Sequence, residues 1–117
     1  MDKYDPQQLL KAAVEAAVEA SEATPDVFAF NCGFAWVTVR PATGPLVAYC
    51  KRMIVEVGRD CRAALCYGSS GHAGGWQFWH PGRSRSQSID VHMAGARAFA
   101  DVLRAAGLDA VASSRLD

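Results

Sequence analysis

Two hydrophobic periods alternate along this chain, and that alternation limits the fold more than any other feature. In FAWVTVR, residues 34–40, the period is two: Phe34, Trp36, Thr38 and Arg40 face one way, and Ala35, Val37 and Val39 the other. In QQLLKAAVEAAVEASEA, PLVAYCKRMIVEV and IDVHMAGARAFADVLRAAG the apolar residues recur every three to four positions, as on one side of a helix. A chain that switches between these periods is expected to be α+β, with helices covering one face of a sheet.

The first helix is expected from Pro6 to the Thr24-Pro25 stop, with Asp5 as cap and Pro6 in the first turn. Leu10, Ala13, Val14, Ala17 and Val18 form its stripe, while Lys11, Glu15, Glu19 and Glu22 fall mostly outside. This Ala-rich stripe either packs on the sheet or serves a second copy of the chain, because small residues permit close approach. The aromatic and β-branched run from Val27 to Val39 predicts a strand or strand pair, divided by a bulge or turn at Asn31-Cys32-Gly33. A second helix is expected over 45–57, with Thr43 or Gly44 as cap and Leu46, Val47, Cys50, Ile54 and Val57 inward.

A short strand is expected at Ala63–Tyr67, and GSSGHAGG reads as a flexible loop. WQFWH reads as a strand with Trp76 and Phe78 on one face and Gln77 and Trp79 on the other. After the PGRSRSQS loop, Ser88 caps a final helix with Asp90 in its first turn and Gly107 as its stop. Its expected stripe is Val91, Ala94, Ala98, Val102 and Leu103, with Phe99 beside it, and His92 is expected to be half-exposed. LDAVASS closes the chain as a strand, followed by RLD as a polar tail. One domain over 1–117 is expected, with a helix at 1–24 and an α+β body at 27–117. The order without the first helix, β-α-β-β-α-β, matches a ferredoxin-like two-layer sandwich.

With 50% hydrophobic and 21% charged residues, the composition is neither disordered nor membrane-type. No apolar run approaches the ~20 residues of a membrane span, and the acidic, amphipathic start is unlike a signal or transit peptide. A cytoplasmic protein is expected. The net charge is zero but unevenly spread. Residues 1–26 carry six acids and two bases, and residues 27–117 six acids and ten bases, so −4 is set against +4. Between Arg40 and Arg85 seven bases meet only Glu56 and Asp60. A locally basic middle follows, well short of the strong basic signature of a dedicated nucleic-acid binder.

The cysteines, Cys32, Cys50, Cys61 and Cys66, are expected to be reduced. Cys61, Cys66, His72 and His80 follow each other as C-x4-C-x5-H-x7-H, which lacks the tight knuckle and histidine spacing of a zinc finger. No metal and no cofactor are expected. No nucleotide-binding glycine fingerprint, P-loop or H-E-x-x-H occurs, and GSSGH departs from the nucleophile elbow at His72. Ser69, Ser70 and His72 are too close together on a glycine-rich loop to be placed rigidly as nucleophile and base.

CGFAWVTVRP, QSID…AGARAFADVLRAAGLDA and the closing SSRLD resemble a family of small bacteriophage and prophage proteins with CGFAWV, QS-x-D and SR-x-D motifs. The resemblance covers residues 31–117. It implies a short cytosolic protein in a bacterial host cell and brings no activity with it.

A candidate site arises from CYGSSGHAGGWQFWHPGRSRSQSID. Glycines let backbone N–H groups approach an anion, arginines clamp phosphates, and tryptophans stack on planar groups. Trp79, His80, Arg83, Arg85, Ser86, Gln87 and Ser88 are the expected ligand-binding residues, near the N-terminus of the last helix. The plainer alternative makes Trp76 and Phe78 core and the arginines solvated loop residues. A second candidate is the strand face of Phe34, Trp36, Thr38 and Arg40, a binding platform if no helix covers it.

The expected function is therefore a non-enzymatic, phage-type binding protein, homo-oligomeric, acting on a host protein or a small anionic, nucleotide-like ligand. The first alternative is a nucleic-acid-binding accessory protein, which needs the basic middle and the tryptophans on one exposed face. The second is a small enzyme using His72 or His80 with a serine or cysteine.

Overall fold

Capping chemistry sets the helix ends. In the computed structural model, which describes residues 4–25, 33–57, 68–70, 75–86 and 88–116, α1 runs from Pro6 to Ala23. The Asp5 carboxylate accepts the Gln7 N–H at 3.1 Å, and Thr24, extended, ends the helix. α2 spans Pro45–Val57 and α3 Ile89–Ala105. Beyond α3, Gly107 takes φ +96, its N–H bonds Arg104 O at 2.9 Å, and the Leu108 N–H bonds Leu103 O at 3.1 Å. This is the Schellman stop that the left-handed glycine makes possible.

The strands are β1 (Gly33–Arg40), β2 (Gly68–Ser70), β3 (Trp76–Trp79) and β4 (Asp109–Leu116). They form one antiparallel sheet in the order β2-β3-β1-β4. The α+β class is thus present, with helices between β1 and β2 and between β3 and β4. The expected strand at Ala63–Tyr67, the run Val27–Phe30 and the Asn31-Cys32 turn lie outside the described residues.

Ala35, Val37 and Val39 of β1, Trp76 and Phe78 of β3, and Ala110 of β4 share the face that packs on the helices. They meet Leu10, Ala13 and Ala17 of α1, Leu46, Val47 and Cys50 of α2, and Ala96, Phe99, Ala100 and Leu103 of α3. The Phe78 and Phe99 rings lie 5.1 Å apart at the centre of this layer. Ala13 and Ala17 are fully buried in it, so the alanine stripe of α1 is consumed within the chain. Among the described residues, no helix is long and apolar enough to cross a membrane.

Three expectations are corrected. Gly68–Ser70, read as loop, pairs with β3 through Gly68↔Phe78 and Ser70↔Trp76. The Arg115-Leu116 part of the closing tail continues β4, because β1 stays paired as far as Gly33↔Leu116. The inner stripe of α3 is partly rotated: Val91, Phe99 and Leu103 are buried as expected, but His92, Gly95, Ala96 and Ala100 are buried with them, whereas Ala94, Ala98 and Val102 are half-buried. His92 is thus only 7% exposed.

The rotation has a steric cause. Gly95 faces Gly82 and the Ala17 carbonyl, and Ser21 Oγ donates to Val91 O at 2.9 Å in the same α1–α3 crossing. A Cβ on Gly95 would lie 2.9 Å from the Gly82 Cα and 3.2 Å from Ala17 O. Both are backbone atoms that cannot turn aside. Gly95→Ala gains about 1 kcal/mol of helix propensity but forces overpacking that costs roughly 1–3 kcal/mol, with backbone contacts at the upper end. A net loss of about 1–2 kcal/mol is expected, read as a melting temperature lower by roughly 5 °C or more. An unchanged or higher melting temperature would contradict this packing.

Candidate ligand-binding face

The strand alternation that sends Ala35, Val37 and Val39 into the core sends Phe34, Trp36, Thr38 and Arg40 to the opposite face. The register adds Gln77 and Trp79 from β3, and Asp109, Val111, Ser113 and Arg115 from β4. The described helices all pack on the other side. Trp36 and Trp79 are direct cross-strand partners. Their rings stack with centroids 4.8 Å apart and planes 29° from parallel. Phe34 is 44% exposed, Trp79 37% and Val111 43%. Large apolar side chains clustered on one solvent-facing sheet surface mark an interaction site more than isolated ones do.

The backbone explains the shape of this face. Gly75 precedes β3 opposite Arg40, and a Cβ there would lie 2.5 Å from Thr38 Cγ2 and 3.3 Å from Arg40 Cγ. Thr38, closely approached by Gly75, is buried on this face, whereas Trp79 beside it is exposed. Arg40 and Arg115 are exposed at opposite ends of the face, with Asp109 across from Arg40.

The expected site residues divide. Trp79 belongs to the open face. The next residue, His80, donates its backbone N–H to Ala35 O at 3.1 Å, takes φ +56, and sets its ring edge-on to His92 at 4.6 Å. Pro81 and Gly82 then dive into the helical layer, where both are buried. Arg83 and Arg85 are exposed, and Arg83 closes the turn with its N–H on His80 O at 3.2 Å and φ +56. Left-handed backbone at a non-glycine residue costs roughly 1–2 kcal/mol, so this turn is held by the packing of Pro81 and Gly82.

Ser86 Oγ accepts the Ser88 N–H at 2.9 Å. Ser88 is buried, and its side chain makes no capping bond. The first turn of α3 already holds the exposed Asp90 carboxylate, which satisfies the positive helix end. Gln87 lies outside the described residues, as do His72, Cys32, Cys61 and Cys66. The remaining cysteine, Cys50, is buried in the core between α2 and the sheet. Among the described residues no group of three metal-ligating side chains comes together.

The loop 80–86 leaves β3 at the end of the sheet where Phe34 and Arg115 lie and turns at Pro81-Gly82 toward α1 and α3, so Arg83 and Arg85 are not part of the strand face that carries the tryptophan pair. The basic middle is also split. Lys51 stands 5.7 Å over the core side chain Trp76, and Arg52 pairs with Glu56 at 3.6 Å, both on α2.

Two clefts are lined by described residues. A cleft of about 440 Å³ opens between Thr24, Asp90, Arg97 and Ser114. Another of about 280 Å³ opens between Tyr4, Arg40, Gly44 and Asp109. Neither is lined by a tryptophan.

Sequence reasoning grouped Trp36 with Phe34 and Arg40 but placed Trp79 in a different site. It missed Val111 and Arg115, although the alternation Asp109, Val111, Ser113, Arg115 carries the signal once the last strand is extended. No family model matches the chain, and neither a curated protein nor a solved structure matches it.

Proposed function

We propose that this is a non-enzymatic binding protein whose open sheet face stacks unpaired bases of single-stranded nucleic acid. The observation that carries the reading is the Trp36–Trp79 stack on the face that the described helices leave uncovered. A flat, half-exposed aromatic pair offers a surface on which successive bases can stack, and such stacking tolerates any sequence. A small nucleotide-like ligand would instead favour an enclosing pocket, and the tryptophans line neither of the two clefts formed by described residues. Arg40 and Arg115 supply the positive charge on the face. This is an accessory role compatible with the small phage-type proteins that the chain resembles.

The body that presents this face is, in the same reading, a ferredoxin-like βαββαβ sandwich with α1 added. The sheet order β2-β3-β1-β4, antiparallel throughout, supports it.

The test is fluorescence anisotropy with a labelled single strand and its duplex across a salt series. Single-strand binding is expected to exceed duplex binding, because paired bases have no free face to stack. With two arginines neutralising phosphates, log K should fall against log salt with a slope of about −1.4, from roughly −0.7 per contact. Equal affinity for duplex, or no binding of either, would overturn the proposal.

A further inference from the structure

Among the described residues β4 is an outer strand of the sheet, eight residues long and paired to β1 in unbroken register. Its sequence, DAVASSRL, contains no proline and no lysine, two of the usual devices that keep a sheet edge from pairing with another chain. Two of the exposed large apolar side chains, Val111 at 43% and Leu116 at 61%, sit on this strand. Asp109 and Arg115 lie on one face of it, three residues either side of Ala112, and neither forms an ion pair among the described residues.

From this we infer that the edge of β4 pairs antiparallel with the same edge of a second copy of the chain, about a two-fold axis at Ala112. In that register Asp109 stands across from the partner's Arg115, and Arg115 across from the partner's Asp109. Val111 meets the partner's Ser113, and exposed Leu116 meets the partner's Leu108. A shift by two residues in either direction loses both charge pairs, so the strand's own charges select one register. Arg104 donates to Ala110 O at 2.6 Å, and a carbonyl oxygen keeps a second lone pair for a strand partner.

The self-complementary pattern is what an isologous interface requires. It differs from the dimer suggested by the alanine stripe of α1, which is already buried against α3. Because the axis is normal to the sheet, both open faces point the same way. The two Trp36–Trp79 stacks then share one surface about 19 Å apart across the strands, from four strand spacings of ~4.8 Å. The inference does not depend on the nucleic-acid reading.

Sedimentation equilibrium across a wide concentration range tests it, with circular dichroism melts to show that each variant folds. The wild type is expected to be a reversible dimer. Arg115→Asp sets like charges opposite one another twice and should weaken the dimer by about tenfold. Asp109→Arg/Arg115→Asp restores opposite charges and should recover wild-type association. A monomer at every concentration overturns the inference. So does a dimer indifferent to Arg115→Asp, or a double variant as weak as the single one.

Discussion

Trp36→Ala/Trp79→Ala is expected to weaken single-strand binding about a hundredfold. Base–aromatic stacking contributes roughly 1–3 kcal/mol per base. Two such losses near the lower end reach the ~2.7 kcal/mol that a hundredfold change represents. The fold should persist, because Trp36 and Trp79 lie on the solvent face and their removal opens no cavity between sheet and helices. The ring pair itself contributes about 0.5–1.5 kcal/mol to the sheet, which sets the expected loss of stability. Trp76→Ala separates the two roles: Trp76 is buried on the core face, so its loss should lower the melting temperature more and affect stacking only through unfolding. If the double variant binds as the wild type does, the exposed tryptophans are sheet packing and nothing more.

Phe99→Ala should remove a large share of the stability of the protein. Phe99 is fully buried, 5.1 Å from Phe78, at the point where α3 lies over the centre of the sheet. Truncating a buried phenylalanine costs about 3–5 kcal/mol, combining lost transfer energy with the cavity left behind. A domain of this size has a total of roughly 5–15 kcal/mol. Phe99→Leu keeps most of the volume and should cost less than about 1.5 kcal/mol. Urea unfolding of both variants checks this, with the midpoint shifting far more for alanine than for leucine. A loss below about 1 kcal/mol for Phe99→Ala would mean that the core is not organised around this residue.

The helices were legible because their ends carry local chemistry that does not depend on the rest of the fold. Asp5-Pro6 and Pro45 mark two starts, and Gly107 marks a stop; α3 begins after Ser88 as expected, although that side chain makes no capping bond. β2 was not legible, since GSS has neither an apolar period nor strand propensity and becomes a strand only by pairing with β3. The same applies to Arg115 and Leu116, whose extended state comes from the length of β1 opposite them. The stripe of α3 was misplaced by about one position because periodicity weighs side chains, while the orientation follows from Gly95 and Gly82, which have none. Alternation correctly placed Trp36 on one face of its strand and Trp79 on one face of another. That the two faces coincide and the rings touch depends on the pairing Trp36↔Trp79, a long-range register that local sequence does not encode.

The most direct measurement is a titration of the isotopically labelled protein with a short single-stranded oligonucleotide, followed by NMR. The indole N–H signals of Trp36 and Trp79 should shift first and furthest, together with backbone amides of Phe34, Ser113 and Arg115. The Trp76 indole and the amides of α1 and α2 should stay in place. Shifts confined to the helices or to the α3 entry, or none at saturating oligonucleotide, would contradict a binding face on the open side of the sheet.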